Sequence, residues 1–356
     1  MSIPSFVYTA LPGRVVFGSG TIAKLKSELE RAGCRRAMLI STPEQAAALT
    51  GIAASLGPLA VHSFSEATMH TPVAVTERAV KAAQDCKADC VVTFGGGSST
   101  GLGKAIALRT DLTQIAIPTT YAGSEMTPII GETQDGKKTT QRTLKVLPEI
   151  VIYDVDFTLT LPPHLTVTSG MNAIAHAVEA LYAQDRNPII SMMATQAIAA
   201  LGRALPAITR NPQDREGRTE ALYGAWLCGI CLGSVGMALH HKLCHVLGGL
   251  CNLPHADTHT VILPYAMAYN AKAAPEADHA LAQALGGRDG TSALLALAAK
   301  LDAPRDLKSL GMPEDSIDRA ADLAVQNPYW NPRPIDRDAI RQLIADAWAG
   351  NPPKPE

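Results

Sequence analysis

The sequence predicts an α/β domain built on a buried parallel sheet, followed by an all-helical domain. Three observations carry this. Short β-rich runs alternate with helical patterns up to residue 159. Across Leu159–Pro163 the character changes, and beyond it strand patterns all but vanish. At 356 residues the chain is long enough for two units with full cores.

Arg36–Ser41 (RAMLIS), Leu59–Phe64, Asp89–Gly95 (DCVVTFG) and Gln114–Pro118 (QIAIP) read as strands. Between them lie amphipathic stretches such as Pro72–Lys87 and Ser98–Arg109. Apolar strands alternating with helices make βαβ units and a sheet covered on both faces. Thr127–Thr133 and Lys137–Thr143 flank Asp135-Gly136, a hairpin turn pair. Further on, Thr166–Ala183, Pro188–Ile208, Asp214–Leu232 and the segments after Leu239 are rich in Ala and Leu at helical spacing. Late helices are expected over Ala277–Leu285, Ser292–Leu301, Asp315–Gln326 and Asp336–Ala349, which makes the second half all-α. The domains are therefore set at 1–159 and 160–356, with Asn351–Glu356 as a frayed tail.

Composition narrows the function classes. Hydrophobic residues make up 47% and charged residues 18%, a balance that folds rather than stays disordered. A formal net charge of -2 offers no basic field to nucleic acid or to an anionic membrane. No uninterrupted apolar run approaches the roughly 20 residues that span a bilayer. Met1–Phe17 lacks the basic and apolar regions of a signal peptide, so a cytoplasmic location is expected. The seven cysteines are scattered through apolar segments and read as reduced core residues. Cys228 and Cys231 form a C-x-x-C pair, yet they lie inside a helical apolar pattern and have no second pair.

Two turns carry binding chemistry. Thr93-Phe94-Gly95-Gly96-Gly97-Ser98-Ser99 follows an apolar strand and opens a helix. The glycines let the backbone approach an anion, and the helix supplies free N–H groups and a positive dipole end. Pro118-Thr119-Thr120-Tyr121-Ala122-Gly123-Ser124-Glu125 follows the next strand. Small hydroxyl-rich turns at the carboxyl ends of adjacent strands face one crevice, where Rossmann-like sheets bind dinucleotides. Gly95, Gly96, Gly97, Ser98, Thr119, Thr120 and Ser124 are therefore the candidate phosphate contacts. After the first predicted strand, Ser41-Thr42-Pro43-Glu44 places neutral Ser41 and Thr42 where a carboxylate would select against a 2′-phosphate, so NADH and NADPH are both compatible.

Histidines supply the other constellation. His241 and His245 are four apart in His240-His241-Lys242-Leu243-Cys244-His245, on one helix face. His255 follows in Leu253-Pro254-His255-Ala256, and His176 lies four after Asn172 on another helix. Imidazoles at this spacing suit a metal site, or an acid or electrophile site.

The whole pattern resembles the iron-containing alcohol dehydrogenases. The matching segments are GGGS at 95–98, IPTTYAGSE at 117–125, GMNAIAH at 170–176, and His241, His245 and His255. They span nearly the whole chain, in the family's order. The resemblance implies a fold like that of the dehydroquinate synthases, with phosphates on the GGGS turn and the active site in the cleft between the domains. It puts Asn172, His176, His241 and His255 at the metal-ligand positions and His245 near the reacting carbon. Three departures stand out: Asn172 where the family has aspartate, Ala256 where it has glycine, and Gly101 where it has aspartate. An amide oxygen holds a hard dication poorly. These changes, with HHKLCH, NLPHADTHTV and NPYWNPRP at 327–334, resemble the maleylacetate reductase subgroup, which reduces without a metal requirement.

What the resemblance implies is NAD(P)H-dependent reduction of the C=C bond of maleylacetate, and of substituted maleylacetates, to 3-oxoadipate in aromatic-compound catabolism. No metal is expected. The alternative is a metal-dependent alcohol dehydrogenase or aldehyde reductase of the same fold. His245 and His241 are the candidate catalytic residues. Asn172, His176, His255, Lys242, Tyr329 and Arg333 are the candidate substrate contacts. A dianionic substrate calls for cations, and the hairpin residues Lys137, Lys138, Arg142 and Lys145 are further candidates. A homodimer is the expected assembly.

Overall fold

The computed structural model describes residues 5–135, 137–327 and 329–354, with the side chains of Lys137 and Lys138 outside the described set. Two compact units result: one is Leu11–Leu161, and the other begins at Pro162 and takes in residues 5–10.

In the first unit the order is β1 (Arg14–Gly18), α1 (Leu25–Arg31), β2 (Ala37–Ile40), α2 (Ala46–Leu56), β3 (Ala60–Phe64), α3 (Val73–Asp85), β4 (Cys90–Gly95), α4 (Gly97–Thr110), β5 (Thr113–Pro118), β6 (Ile129–Gln134), β7 (Lys137–Arg142) and β8 (Ile150–Asp154). Six strands form one parallel sheet in the order β1-β8-β5-β4-β2-β3. Side chains alternate across it. Leu39, Val92, Ile115 and Ile152 pack with Leu25, Leu29, Leu49 and Ile52 on one face. Met38, Ile40 and Val91 pack with Ala79, Ala83, Leu102 and Ile106 on the other. Both faces are covered, so the expected Rossmann-like layering holds and the strands are apolar throughout.

All four expected strands are present, but β1 and β8 had no place in the sequence reading. The segment Ile150–Asp154 is apolar enough, yet the chain reaches it from β5 through a hairpin and short 3-10 turns rather than a helix. The alternation that marks βαβ units therefore passes over it. β1 then pairs with β8 alone, at the sheet edge. The expected hairpin forms as β6 and β7; Gly136 of its turn pair lies outside the described residues, and Asp135 takes a left-handed φ of 50°.

From β2 the chain moves outward to β3 and then returns to β4 on the other side of β2. The crevice at the carboxyl ends of β2 and β4 is thus a topological switch point, where open α/β sheets bind ligands. Lys104, fully buried on α4, has its Nζ within hydrogen-bonding distance of Ser124 O (2.6 Å), Thr127 O (2.7 Å), Thr127 Oγ1 (2.9 Å) and Ile129 O (2.8 Å), sharing its three N–H donors among them. It ties the segment that follows β5 to the helix that follows β4.

The second unit contains α5 (Pro163–Tyr182), α6 (Pro188–Arg210), α7 (Arg215–Ser234), α8 (Leu239–Cys251), α9 (His255–Asn270), α10 (Pro275–Leu285), α11 (Gly290–Lys300), α12 (Ser316–Val325) and α13 (Arg337–Ala349). Asn187, Asp214, Asp289 and Asp336 cap α6, α7, α11 and α13 by accepting backbone N–H groups. α5 is buried from Thr166 to Tyr182. α6 has the length and apolar composition of a membrane span, but Ile198, Leu201 and Leu205 are fully buried, as in a core helix. Cys228 and Cys231 are buried and unbridged on α7, as their helical setting suggests. The tail is less frayed than expected at its start: Asn351 donates to Asp346 O (2.9 Å) and accepts from the Tyr265 hydroxyl (2.8 Å).

Candidate active site

Each unit carries one part of the predicted chemistry. In the α/β unit, Gly95 ends β4 with φ 139°, and Gly96 precedes the first turn of α4. That φ lies where L side chains are strained, and a β-carbon there would also lie 2.5 Å from Ser99 Oγ, so the position favours glycine. Gly95 is in register with Pro118, and Thr119 N donates to Gly95 O (3.1 Å), which brings the two predicted turns side by side. Gln45 Nε2 donates to Thr119 Oγ1 (2.9 Å) from the loop after β2. Thr120 lies against Gly96, whose β-carbon would meet it at 3.0 Å. Gly97 and Ser98 are at the open mouth of the turn. No side chain caps α4, so its first N–H groups are left for a ligand. An anionic pyrophosphate fits this arrangement.

Ser41 is buried; its hydroxyl donates to Thr42 O (2.9 Å), and its oxygen accepts from the Ser65 hydroxyl (3.0 Å). Ser124 is held through its carbonyl by Lys104. Glu44 sits in a 3-10 turn, not in the helix proper, and the Thr42 hydroxyl holds its carboxyl below the usual range. At Gly101, a β-carbon would lie 2.6 Å from Thr71 Oγ1, which leaves no room for the family's aspartate.

Gly97 gives the cleanest test of this turn, because a β-carbon there meets only Ala122, at 4.0 Å. Gly97→Val should leave the thermal midpoint nearly unchanged while sharply weakening NAD(P)H binding, since the side chain stands between the phosphate and the helix N–H groups. Fluorescence titration reads this out; unchanged affinity would reduce the turn to a connector.

In the helical unit the face of α5 that bears Asn172 and His176 also bears Glu179, at i, i+4 and i+7. The start of α8 brings His241 to this face. The His176 and His241 rings are 5.1 Å apart. Asn172 Oδ1, His176 Nδ1 and His241 Nε2 are all buried and, among the described residues, accept or donate no hydrogen bond. His245, one turn along α8, is exposed, with its ring 6.1 Å from His241. His255 opens α9 and is exposed, with its ring 4.3 Å from His259.

Three participants escaped the sequence reading. Glu179 is fully buried; its Oε2 accepts from His241 Nδ1 (2.6 Å) and Ala238 N (3.1 Å), and its Oε1 accepts from His240 N (2.8 Å). His240 and His259 are fully buried, with His240 Nε2 and His259 Nδ1 2.9 Å apart. The heptad step from Asn172 to Glu179, and the i,i+4 step from His255 to His259, were the available signals. Burial holds His176, His240 and His259 well below the usual imidazole range, and the neighbouring histidines reinforce this, so all three are neutral.

The segment after α12 closes over the start of α8. Asn331 Oδ1 accepts from Leu239 N (3.4 Å) and from Asn270 Nδ2 (3.1 Å). Tyr329 has a buried hydroxyl with no hydrogen-bond partner among the described residues. Lys242 Nζ donates to Gln326 O (2.9 Å) and sits 5.5 Å from the Tyr329 ring centre. Arg333 stacks on Tyr269 at 4.0 Å. Tyr329 and Lys242 thus lie together at the start of α8, and Arg333 lies against the end of α9. The hairpin cations belong to the other unit, where Lys145 pairs with Asp111 at 2.8 Å; the side chains of Lys137 and Lys138 lie outside the described set.

The family's metal positions are testable on this donor set. Asn172, His176, His241 and His255 are an amide and three imidazoles, without a carboxylate. The fully buried carboxylate of Glu179 bonds the far nitrogen of His241 and two backbone N–H groups. A set without an anionic oxygen does not fit an iron ion.

A family model described as iron-containing alcohol dehydrogenase matches residues 12–155, and one described as Fe-containing alcohol dehydrogenase family, C-terminal, matches residues 166–348. A maleylacetate reductase of Rhizobium sp. (strain MTP-10005) is 56% identical over 98% of this chain and 99% of its own. One from Sphingobium indicum is 53% identical over 98% of this chain and 99% of its own. The crystal structure of maleylacetate reductase from Agrobacterium tumefaciens superposes with a TM-score of 0.96 at 54% identity, covering 99% of this chain and 100% of that one.

Proposed function

Since the chain belongs to the iron-containing alcohol dehydrogenase family, and is an oxidoreductase of that family, we propose that it reduces the C=C bond of maleylacetate, and of substituted maleylacetates, to give 3-oxoadipate. The observation that carries this reading is the carboxylate-free set of buried, unpartnered polar atoms on Asn172, His176 and His241, in a chain more than half identical to maleylacetate reductases. The cofactor is NADH or NADPH, bound through its pyrophosphate at Gly95, Gly96, Gly97 and Ser98, with Thr119, Thr120 and Ser124 in the adjoining turn and Ser41 and Thr42 toward the adenosine ribose. The protein works as a cytoplasmic homodimer.

When bound, the nicotinamide supplies a hydride. Maleylacetate has an alkene conjugated to a ketone, and a hydride arriving at the alkene carbon remote from the ketone leaves an enolate. The enolate spreads its charge onto oxygen and is less basic than the alkoxide that direct carbonyl reduction would form. Hydrogen-bond donors are then enough to stabilise it. His245, exposed one turn beyond His241 on α8, delivers a proton to the enolate carbon. One hydride and one proton have then been added across the double bond, and the ketone is retained. Asn172, His176 and His255 are polar neighbours of that enolate, and Lys242, Tyr329 and Arg333 form the side that receives the carboxylates.

Exhaustive chelation should leave maleylacetate-dependent NAD(P)H oxidation intact, and elemental analysis should find no stoichiometric iron or zinc. A tightly held metal whose removal abolishes turnover would instead favour the alcohol dehydrogenase alternative. Asn172→Asp should raise metal affinity, measured by calorimetry, because it adds an anionic oxygen to imidazoles already in place.

A further inference from the structure

The ends of β2, β4 and β5 meet at one side chain. Gln45 lies in the 3-10 turn that follows β2, four residues beyond Ser41, and is half-buried. Its Nε2 donates to Thr119 Oγ1 (2.9 Å), in the turn that follows β5. Its Oε1 fills the space that a β-carbon on Gly95, at the end of β4, would enter. Gly95 and Thr119 are themselves joined, because Thr119 N donates to Gly95 O (3.1 Å). The sequence reading passed over Gln45.

The direction of the bond between Gln45 and Thr119 matters. An amide nitrogen only donates, so Thr119 Oγ1 is the acceptor, and the hydroxyl keeps its own proton for another partner. Thr119 is buried, and its hydroxyl proton meets no acceptor among the described residues. An unused proton on a buried hydroxyl calls for an acceptor, and a phosphate group offers only acceptors. Thr119 stands beside the turn of α4 whose first N–H groups carry no side-chain cap.

We propose that Gln45 is a positioning residue for the cofactor: by donating to Thr119 Oγ1 it commits the Thr119 hydroxyl to donate to a pyrophosphate oxygen. The role rests on the NAD(P)H reading above. Were the bond reversed, with Thr119 donating to residue 45, the hydroxyl would turn only lone pairs toward the anion. The same carboxamide ties the loop that carries Ser41 and Thr42 to both phosphate turns, so the segments assigned to the ribose and to the pyrophosphate are set together.

Two substitutions separate this role from that of a simple strut. Leucine keeps the bulk of the side chain and has no polar atom. Glutamate keeps the reach but only accepts, so it can hold Thr119 only by taking the hydroxyl proton. A strut survives Gln45→Glu and fails in Gln45→Leu. A device that sets the direction of the hydroxyl fails in both.

The experiment measures NADH and NADPH dissociation constants by fluorescence titration for wild type, Gln45→Leu, Gln45→Glu, Thr119→Val and the two double variants. Thermal midpoints check folding, which a half-buried residue in a short turn leaves intact. Thr119→Val should weaken binding about 10-fold or more, as the loss of a hydrogen bond to a charged group. Gln45→Leu should weaken it about 3- to 10-fold beside Thr119, and have no further effect in the Thr119→Val background. Gln45→Glu also adds a charge, whose own effect is read in the Thr119→Val background; beside Thr119 its loss should exceed that. In turnover the losses should fall on KM for the cofactor rather than on kcat. Wild-type affinity in Gln45→Leu or in Thr119→Val would overturn the proposal. So would a Gln45→Leu effect of equal size with and without the Thr119 hydroxyl, or a Gln45→Glu variant less damaged when that hydroxyl is present. Wild-type protein that binds neither NADH nor NADPH would sink the cofactor reading itself, a result distinct from normal wild-type binding that Gln45 does not influence.

Discussion

Replacing His245 with alanine is expected to lower turnover at least a hundredfold while leaving the protein folded and NAD(P)H affinity unchanged. The side chain is exposed on α8, so its loss opens no cavity. Its ring stands 6.1 Å from His241, in the group of imidazoles that faces the proposed substrate. A well-placed acid contributes on the order of a hundred- to ten-thousand-fold, and the lower figure corresponds to roughly 2.7 kcal/mol of barrier. His245→Gln separates two roles within this one residue. Glutamine donates a hydrogen bond but delivers no proton, so partial recovery marks polarisation as dominant and no recovery marks proton delivery. Wild-type turnover in both variants would take His245 out of the mechanism and pass the proton to His241 or Tyr329.

The second large effect is on stability. His176, His240 and His259 are kept neutral by burial, and each has its folded-state pKa well below the usual 6.5. Above that value neither the folded nor the unfolded chain protonates them. As the pH falls through it, the unfolded chain takes up protons that the folded chain refuses, and stability is lost. Each such group contributes up to about 1.4 kcal/mol per pH unit. With three, urea midpoints taken from about pH 7.5 down to about pH 5.5 should fall steeply, before most carboxylates titrate. His259→Gln should flatten that fall. A urea midpoint independent of pH across this window would mean that the histidines are solvated or paired in the folded state.

The fold was legible wherever local pattern and long-range packing agree. Val91, Val92 and Phe94 are apolar because both faces of the sheet are covered, and the run reads as a buried strand without further knowledge. β8 shows the limit, since its neighbours β1 and β5 are brought to it by topology that no local period records. The site divides in the same way. The GGGS turn and the His241–His245 step are local features and were visible. Glu179 was not: a glutamate on an amphipathic helix usually faces water, and only the packing of α5 against the start of α8 shows that this one is buried under three donors. Gly101 was visible as a departure, but the Thr71 hydroxyl that fills the aspartate's space was not.

The central claim is that hydride goes to the alkene carbon remote from the ketone and that a proton completes the product. Turnover of maleylacetate with NAD(P)H carrying deuterium at the transferable position of its nicotinamide, followed by mass and magnetic-resonance analysis of the product, tests it directly. The expected product is 3-oxoadipate with its ketone intact and a single deuterium on the methylene carbon bonded to the carboxylate farther from the ketone. A hydroxy acid with deuterium on the carbinol carbon and the double bond retained would contradict it, and would make the protein a carbonyl reductase.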